Sequence, residues 1–425
     1  MQTTAEGKAE EGSVTAVIPL LLLILIDAMG FAMLTPLLAS ALAEGSTAPL
    51  AGAVSPGSRS LVYGIATGLY PIMTFLGAPL LGQFSDRVGR KSVLLICAAG
   101  ILLSYGIISA SFAMGSVFLL MVGRFVGGVT AASQAISLAA LVDVCRPEKK
   151  DFWLSMGLLA SSLGFVVGPS LGGLLSDARI VPWFHIQTPL IATAILAGVT
   201  LVLFFLCFRD PVRPKPKAER APLSIFSGIQ SLIMAFRAPG LRRVSQVFLL
   251  QELAWGAYFY FIPVFLFQRF ATAPTETSLF MGAMGVGFCL SFALVMPFLT
   301  SRYTAKAITF WSLVIASVLI GASLVAPSML TQWVLILPIS LAVSVSYGAI
   351  IILFTDIATD DSKGEIMGIS SAINAFSFGV ISFICGAIDS LMAGAPIALS
   401  LALMALSCVV FQMHKSPTSE TQPTQ

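Results

Sequence analysis

Twelve long runs of apolar residues, separated by short polar or charged breaks, make up most of the chain. A helix needs about 20 apolar residues to cross a hydrocarbon core of about 30 Å, and each run has about that length. The strands of a transmembrane barrel would be about 10 residues long and would alternate in polarity, so the runs predict helices. These helices, TM1 to TM12 in chain order, are predicted at about residues 17–41, 60–82, 92–112, 116–141, 152–175, 186–208, 242–268, 278–300, 307–326, 331–355, 366–388 and 393–412.

Composition supports this interpretation and excludes a soluble domain. Hydrophobic residues are 57% of the 425 residues and charged residues only 10%, with a mean hydropathy of +0.94. Soluble domains carry about 25% charged residues. The six cysteines form no C-x-x-C spacing that would indicate a metal site. We therefore predict an all-α membrane protein whose main surroundings are the lipid bilayer, with no nucleic-acid partner.

The basic residues of the loops predict the orientation of the chain. Nearly all Lys and Arg fall on one side of the predicted spans, and the other side receives only Arg59, Arg179 and Arg269. Loops rich in Lys and Arg stay in the cytoplasm. Both termini are therefore predicted to be cytoplasmic.

A charged, proline-rich interruption divides the twelve spans six and six. The predicted units are a six-helix bundle at 1–208, a cytoplasmic linker at 209–241, a second bundle at 242–412 and a disordered cytoplasmic tail at 413–425. Within the linker, "LSIFSGIQSLIMAF" predicts an amphipathic helix on the inner membrane surface. The loop "GQFSDRVGRK" after TM2 is echoed by "PFLTSRYTAK" after TM8, which indicates two six-helix pseudo-repeats. In such repeats the substrate site lies near the midplane, between the halves.

The loop after TM2 also carries the most specific motif of the chain. "GQFSDRVGRK" resembles the G-x-x-x-D-R-x-G-R-[KR] signature of the major facilitator superfamily and lies between the same two helices. The resemblance implies the major facilitator fold and a cytoplasmic gate made by Gly82, Asp86, Arg87, Gly89 and Arg90. In that gate Asp86 would pair with a helix of the other half and Arg87 with a nearby acidic residue. Gly82 would permit close helix approach, and Gly89 a tight turn.

TM5 contains "GFVVGPSLGG", which is similar to a pattern of the drug:proton antiporter branch of that family. Gly164, Gly168, Gly172 and Gly173 form a ridge without side chains, along which a neighbouring helix can pack, and Pro169 removes a backbone donor. Small-residue packing common to any transporter is the alternative interpretation. TM1, with "DAMGFAMLTP", resembles the tetracycline efflux proteins of the same branch.

Three charged residues lie well inside apolar runs: Asp27 in TM1, Arg124 in TM4 and Glu252 in TM7. Each costs about 2.5–3.5 kcal/mol to insert, so such residues usually mark ion or substrate pathways. Asp27 and Glu252 are predicted near the midplane, and the long side chain of Arg124 can reach toward Asp27. We predict proton coupling at these three residues, the alternative being charges kept only to join helices. Gly127 stands where many members of the family have a polar residue, which weakens any network around Arg124.

Further polar and aromatic residues suit a cavity for flat, amphipathic or cationic molecules. The candidate substrate residues are Gln134, Gln251, Trp255, Tyr258, Phe259 and Asn374. Ordinary packing and interhelical hydrogen bonds are the competing explanations.

The features together predict a proton-coupled secondary transporter, not an enzyme, in a bacterial inner membrane. The predicted activity is export of small organic molecules or drugs by alternating-access antiport. A proton symporter importing an amino acid, nucleoside or siderophore is the alternative, and a non-transporting receptor or assembly protein is a third. No cofactor is expected, because the chain has no G-x-x-x-x-G-K-[ST] loop and a proton gradient can drive transport. Small-molecule substrate and protons are the expected partners of a monomer.

Overall fold

A computed structural model describes residues 2–43, 46, 48–145, 149–208, 210, 226–238, 240–357 and 363–413. Its regular structure is helical throughout these residues, and twelve helices are long and apolar enough to cross a membrane. Their bounds are Gln2–Leu42 (TM1), Arg59–Val88 (TM2), Arg90–Met114 (TM3), Val117–Val129 with Ser133–Val144 (TM4), Lys150–Leu175 (TM5), Thr188–Cys207 (TM6), Arg242–Phe270 (TM7), Pro274–Leu290 with Met296–Thr300 (TM8), Ala305–Val325 (TM9), Met329–Ile357 (TM10), Lys363–Asp389 (TM11) and Ala395–Gln412 (TM12). The all-α class with twelve spans is confirmed.

The linker between the bundles contains a helix at Ser227–Arg237. Gly228 of this helix lies against the backbone of TM2, where an added Cβ would be 2.7 Å from the Phe75 carbonyl oxygen. The helix thus packs on the bundle along one face. The rest of the predicted linker, 211–225, and the predicted tail from residue 414 lie outside the described residues. The division into bundles and the cytoplasmic termini remain predictions.

TM4 differs from the single span that the sequence predicts. Its two helical segments are separated at residues 130–132. The first segment ends there because the Ala131 N–H bonds to the Gly128 carbonyl at 3.2 Å and the Ala132 N–H to the Thr130 carbonyl at 2.9 Å, neither of which is a bond of the α-helical ladder. Gly100 of TM3 makes room for this break, because an added Cβ there would lie 2.1 Å from Thr130 Oγ1. The residues at the break do not interrupt the apolar run, so hydropathy alone predicted TM4 as one continuous helix.

Two seams join the first six helices to the last six, and glycines line both. Along TM2 and TM11, a Cβ added at Gly64 would lie 2.6 Å from Gly386 Cα, and one at Gly68 would lie 2.8 Å from the Gly379 carbonyl oxygen. Between TM5 and TM8, a Cβ at Gly285 would lie 2.6 Å from the Phe165 carbonyl carbon. Backbone meets backbone along these stretches, which any side chain would prevent.

This close packing lies on the side where TM2 begins and TM11 ends, here called the outer side because the charge bias predicts that it faces away from the cytoplasm. At the opposite, inner ends of the same two helices, an added Cβ at Gly82, Gly364 or Gly368 has no described atom within 4 Å. TM2 and TM11 are therefore packed against each other on the outer side and separate toward the inner side.

Candidate functional site

Asp27 lies about halfway along the membrane-spanning part of TM1 and is held by two other helices. Its Oδ2 accepts a hydrogen bond of 2.6 Å from Ser133 Oγ, and its Oδ1 accepts one of 3.1 Å from the Tyr70 hydroxyl. Ser133 is the first residue of the second TM4 segment, so the break in TM4 positions this donor. Asp27 is half-buried. Broken helices near the midplane are where transporters bind ions and substrates.

Arg124 is buried, with a side chain directed at the backbone of TM2. Its Nε donates to the Ala66 carbonyl at 2.8 Å, and an Nη donates to the Thr67 carbonyl at 3.3 Å. Pro71 explains the second bond, because proline has no N–H and so leaves the carbonyl four residues earlier without its helical donor. Lipid offers no replacement donor, and the guanidinium provides one.

Tyr70 connects Arg124 to Asp27. The guanidinium carbon lies 4.7 Å from the centre of the Tyr70 ring, whose hydroxyl donates to Asp27. Among the described residues, no Arg124–Asp27 ion pair lies within 4.0 Å. Arg124 therefore does not make the direct contact with Asp27 that the sequence suggests, and the Tyr70 ring lies between the two side chains.

Glu252 occupies a second buried polar position, in TM7. Its side chain is 1% exposed, and its Oε2 accepts a hydrogen bond from Asn374 Nδ2 of TM11. Glu252 Oε1 and both amide atoms of the neighbouring Gln251 have no hydrogen-bond partner in the described structure. Leaving buried polar atoms without partners costs free energy, which a bound polar group would recover.

Aromatic rings fill the space where the two halves meet. Phe31 of TM1 stacks on Phe259 of TM7, with ring centres 5.8 Å apart and planes 1° from parallel. Phe31 also contacts Tyr70 at 5.6 Å and Phe165 of TM5 at 6.1 Å. Trp255 lies beside Phe259, with ring centres 6.1 Å apart and planes tilted by 49°, and is 7% exposed. The cluster joins TM1 to TM7 directly beside Asp27.

Besides Asn374, two of the predicted substrate residues use their polar groups in interhelical hydrogen bonds. Gln134 Nε2 donates to Ser161 Oγ of TM5 at 3.1 Å, and the Tyr258 hydroxyl lies 3.2 Å from Ser323 Oγ of TM9. These bonds fit the packing role that the sequence left open, and the substrate role of both residues stays a prediction.

The glycine ridge of TM5 serves two neighbours. Gly164, Gly168 and Gly172 pack on TM1, and an added Cβ at Gly168 would lie 2.2 Å from the Met29 carbonyl oxygen. Gly173 instead packs on TM8, 2.5 Å from Ser278 Cβ by the same measure. Pro169 lies inside the TM5 helix. The motif therefore presses TM5 against the turn of TM1 that carries Asp27.

The inner loop after TM2 has a different ion pairing from the one its motif implies. Asp86 Oδ1 pairs with Arg90 at 3.0 Å, and Arg90 Nε pairs with Asp143 of TM4 at 3.2 Å, so these bonds stay within the first half. Gly89 has φ of +98°, a conformation that favours glycine, as expected for the tight turn. Among the described residues Asp86 pairs only with Arg90, so its expected pairing with a helix of the other half stays a prediction.

Three residues of the site were not predicted from the sequence: Tyr70, Ser133 and Phe31. Single polar or aromatic residues in an apolar run do not reveal which way they face. Tyr70 had one usable signal, since it directly precedes Pro71 in TM2, and a proline in a membrane helix leaves a carbonyl that polar groups must satisfy.

Comparison with known proteins supports the fold and places the chain in a family. The family model described as Major Facilitator Superfamily matches residues 20–387. The chain is 29% identical over 296 residues to the class D tetracycline resistance protein of Salmonella ordonez, covering 68% of each chain. It is 28% identical over 291 residues to the class C protein of Escherichia coli, covering 68% of this chain and 69% of that one.

Solved structures share the architecture. The crystal structure of the human organic anion transporter MFSD10 (TETRAN) superposes with a TM-score of 0.68 at 21% identity, covering 94% of this chain and 99% of that one. The sequence match to the family and the shared twelve-helix fold agree with each other. The chain belongs to the major facilitator superfamily, whose members are membrane transporters.

Proposed function

We propose that this protein is a proton-coupled antiporter that exports small organic molecules, with Asp27 as the residue that binds and releases the proton. The observation that carries the proposal is the position of Asp27. It is a half-buried carboxylate held by Ser133 and Tyr70, beside the aromatic cluster where the two halves meet. A carboxylate in such a place gains or loses a proton as the surrounding helices move.

Arg124 and Glu252 have separate roles in this proposal. Arg124 holds the TM2 backbone and places a positive charge behind the Tyr70 ring, so that Tyr70 presents its hydroxyl to Asp27. Glu252, with one oxygen and the adjacent Gln251 amide unpartnered, provides polar atoms for substrate in the second half. The aromatic rings of Phe31, Phe259 and Trp255 suit flat or amphipathic molecules.

The energy supply follows from one proton moving down the membrane potential. Across about 100 mV one charge yields about 2.3 kcal/mol, enough for a substrate gradient of about fifty-fold. The proposal therefore needs no cofactor. It places the protein, as a monomer with cytoplasmic termini, in a bacterial inner membrane, as the similarity to the bacterial tetracycline resistance proteins suggests.

The test is transport by the purified protein in lipid vesicles with an imposed pH gradient and tetracycline as the probe. Asp27→Asn keeps the shape of the side chain and one acceptor oxygen, and its NH2 group can donate to the hydroxyl at the other position, but it cannot carry a proton. We expect it to abolish pH-driven uptake while the protein remains folded and monodisperse. Asp356→Asn, which removes an exposed carboxylate at the end of TM10, is the matched control and should transport like the wild type.

Normal pH-driven transport by Asp27→Asn would exclude Asp27 as the coupling residue. Movement of substrate and proton in the same direction by the wild type would support the alternative, a symporter that imports a metabolite.

A further inference from the structure

Two carboxylates on the outer side each accept a hydrogen bond from the other half of the molecule. Asp177 Oδ2, two residues after TM5, accepts from the Thr275 hydroxyl near the start of TM8 at 2.7 Å. Asp389 Oδ2, at the end of TM11, accepts from the Ser60 hydroxyl near the start of TM2 at 2.6 Å. These bonds lie at the outer ends of the two glycine seams.

The two bonds occupy equivalent places in the two repeats. TM5 and TM11 are each the fifth helix of their half, and TM2 and TM8 are each the second. In both seams the carboxylate stands at the outer end of the fifth helix, and the hydroxyl stands in the first turn of the second helix of the other half. Neither Asp177 nor Asp389 belongs to one of the sequence motifs described above.

Each carboxylate is also fixed by groups of its own half. Arg179 pairs with Asp177 at 2.7 Å and donates a further Nε bond of 2.9 Å. These bonds, together with the bond from Thr275, hold the pKa of Asp177 well below its usual range. Asp389 is 6% exposed and accepts from Gln268 Nε2 at 3.2 Å. Both acceptors therefore stay in place when the hydroxyl across the seam moves away.

We propose that the Asp177–Thr275 and Ser60–Asp389 bonds are paired outer latches, which hold the outer side closed in the conformation described here and must both break when it opens. The glycine seams supply close packing, and the latches at their rims set how often the seams separate. Short hydrogen bonds to a carboxylate are stronger than neutral ones, so two hydroxyls suffice to bias the equilibrium. This inference rests on the proposed alternation between inward-open and outward-open states.

The test measures the two faces separately, with no substrate and no pH gradient, so that failure of the transport proposal does not affect it. Pairs of spin labels are introduced after the six native cysteines have been replaced. The outer pair is at Gly57 and Leu391, next to the outer ends of TM2 and TM11. The inner pair is at Val88 and Gly364, at their inner ends. Pulsed electron paramagnetic resonance then gives the distance distribution of each pair in reconstituted protein.

Ser60→Ala is expected to raise the ratio of open to closed outer faces about 10-fold, because a hydrogen bond to a charged group is lost only in the closed state. Thr275→Val is expected to act in the same direction with a smaller effect, since Asp177 is less buried than Asp389. In the double variant the outer pair should gain a longer distance, and the inner pair a shorter one.

Ser58→Ala is the matched control. Its hydroxyl is two residues from Ser60, but it bonds to Ser55 at 2.9 Å within the same half. This control should leave both distributions unchanged. Unchanged distributions in the double variant would overturn the proposal. So would a change of the outer pair alone, because fraying of the rim does not close the inner side.

Discussion

Adding one methyl group at Gly64 should loosen the outer side of the protein. A Cβ there would lie 2.5 Å from the Ser382 carbonyl oxygen and 2.6 Å from Gly386 Cα, whereas ordinary contacts are 3.4–4 Å. Both obstacles are backbone, so no side chain can rotate away, and TM2 and TM11 must separate by about 1 Å. Overpacking of this kind costs about 1–3 kcal/mol. The closed state bears this cost and the open state does not, so the open fraction should rise about 5- to 150-fold.

The assay is the labelling rate of one cysteine within the seam. Ser382→Cys places a thiol at a side chain that is fully buried against Thr67 of TM2. In a background without native cysteines, a membrane-impermeant maleimide reaches this thiol only when the seam opens, so the rate follows the open fraction. Gly106→Ala in TM3 is the control, because nothing lies within 4 Å of the added Cβ. Equal labelling rates for Gly64→Ala and Gly106→Ala would refute the inferred closure of this seam.

Three further predictions concern single residues. Tyr70→Phe keeps the ring but removes the hydroxyl that donates to Asp27. We therefore expect the initial rate of pH-driven transport to fall about tenfold, with the thermal unfolding temperature unchanged. An unchanged transport rate would contradict the connecting role of Tyr70. Gly89→Ala places a side chain on a residue with φ of +98°, a conformation that L-residues rarely adopt. We expect this to lower the free energy of unfolding, measured by chemical denaturation, by about 1–3 kcal/mol. An unchanged free energy of unfolding would argue against strain at this turn. The pKa of Asp177 is depressed, chiefly by hydrogen bonds from Arg179, so its paired, charged form is retained as the pH falls through the usual range and is lost only below it. In a carbon NMR titration the carboxyl signal of Asp177 should show no step between about pH 8 and about pH 3, an interval that includes the usual value of about 3.9. Arg179→Ala should bring the step up toward about 3.9, and a wild-type step near that value would contradict the pairing.

The number and placement of the helices could be predicted from the sequence because both depend on length and hydropathy. A membrane helix must be about 20 apolar residues long whatever it packs against, so TM7, with its Glu252, was as clear as TM6. The break in TM4 could not be predicted from hydropathy, since Thr130 and its neighbours are compatible with an apolar run.

The candidate site was only partly predictable. Glu252 and Asn374 were each recognisable as polar residues inside the membrane, but their pairing depends on the rotation of TM7 and TM11. Arg124 was recognisable for the same reason, yet it bonds to backbone carbonyls of TM2, which no side-chain pattern displays. The sequence thus identified the polar residues that are costly to insert into a membrane, and the structure was needed to find the hydrogen-bond partners of each.

In the proposed antiport, substrate and proton move in opposite directions through a pathway that uses Asp27. The most direct measurement is the internal pH of vesicles that contain the purified protein and a trapped pH-sensitive dye, after tetracycline is added outside at equal pH. The signal from Asp27→Asn vesicles is subtracted to remove passive diffusion. Antiport should raise the internal pH as tetracycline enters, because each substrate taken in releases a proton outward. A fall in internal pH, or no change while tetracycline is taken up, would contradict it.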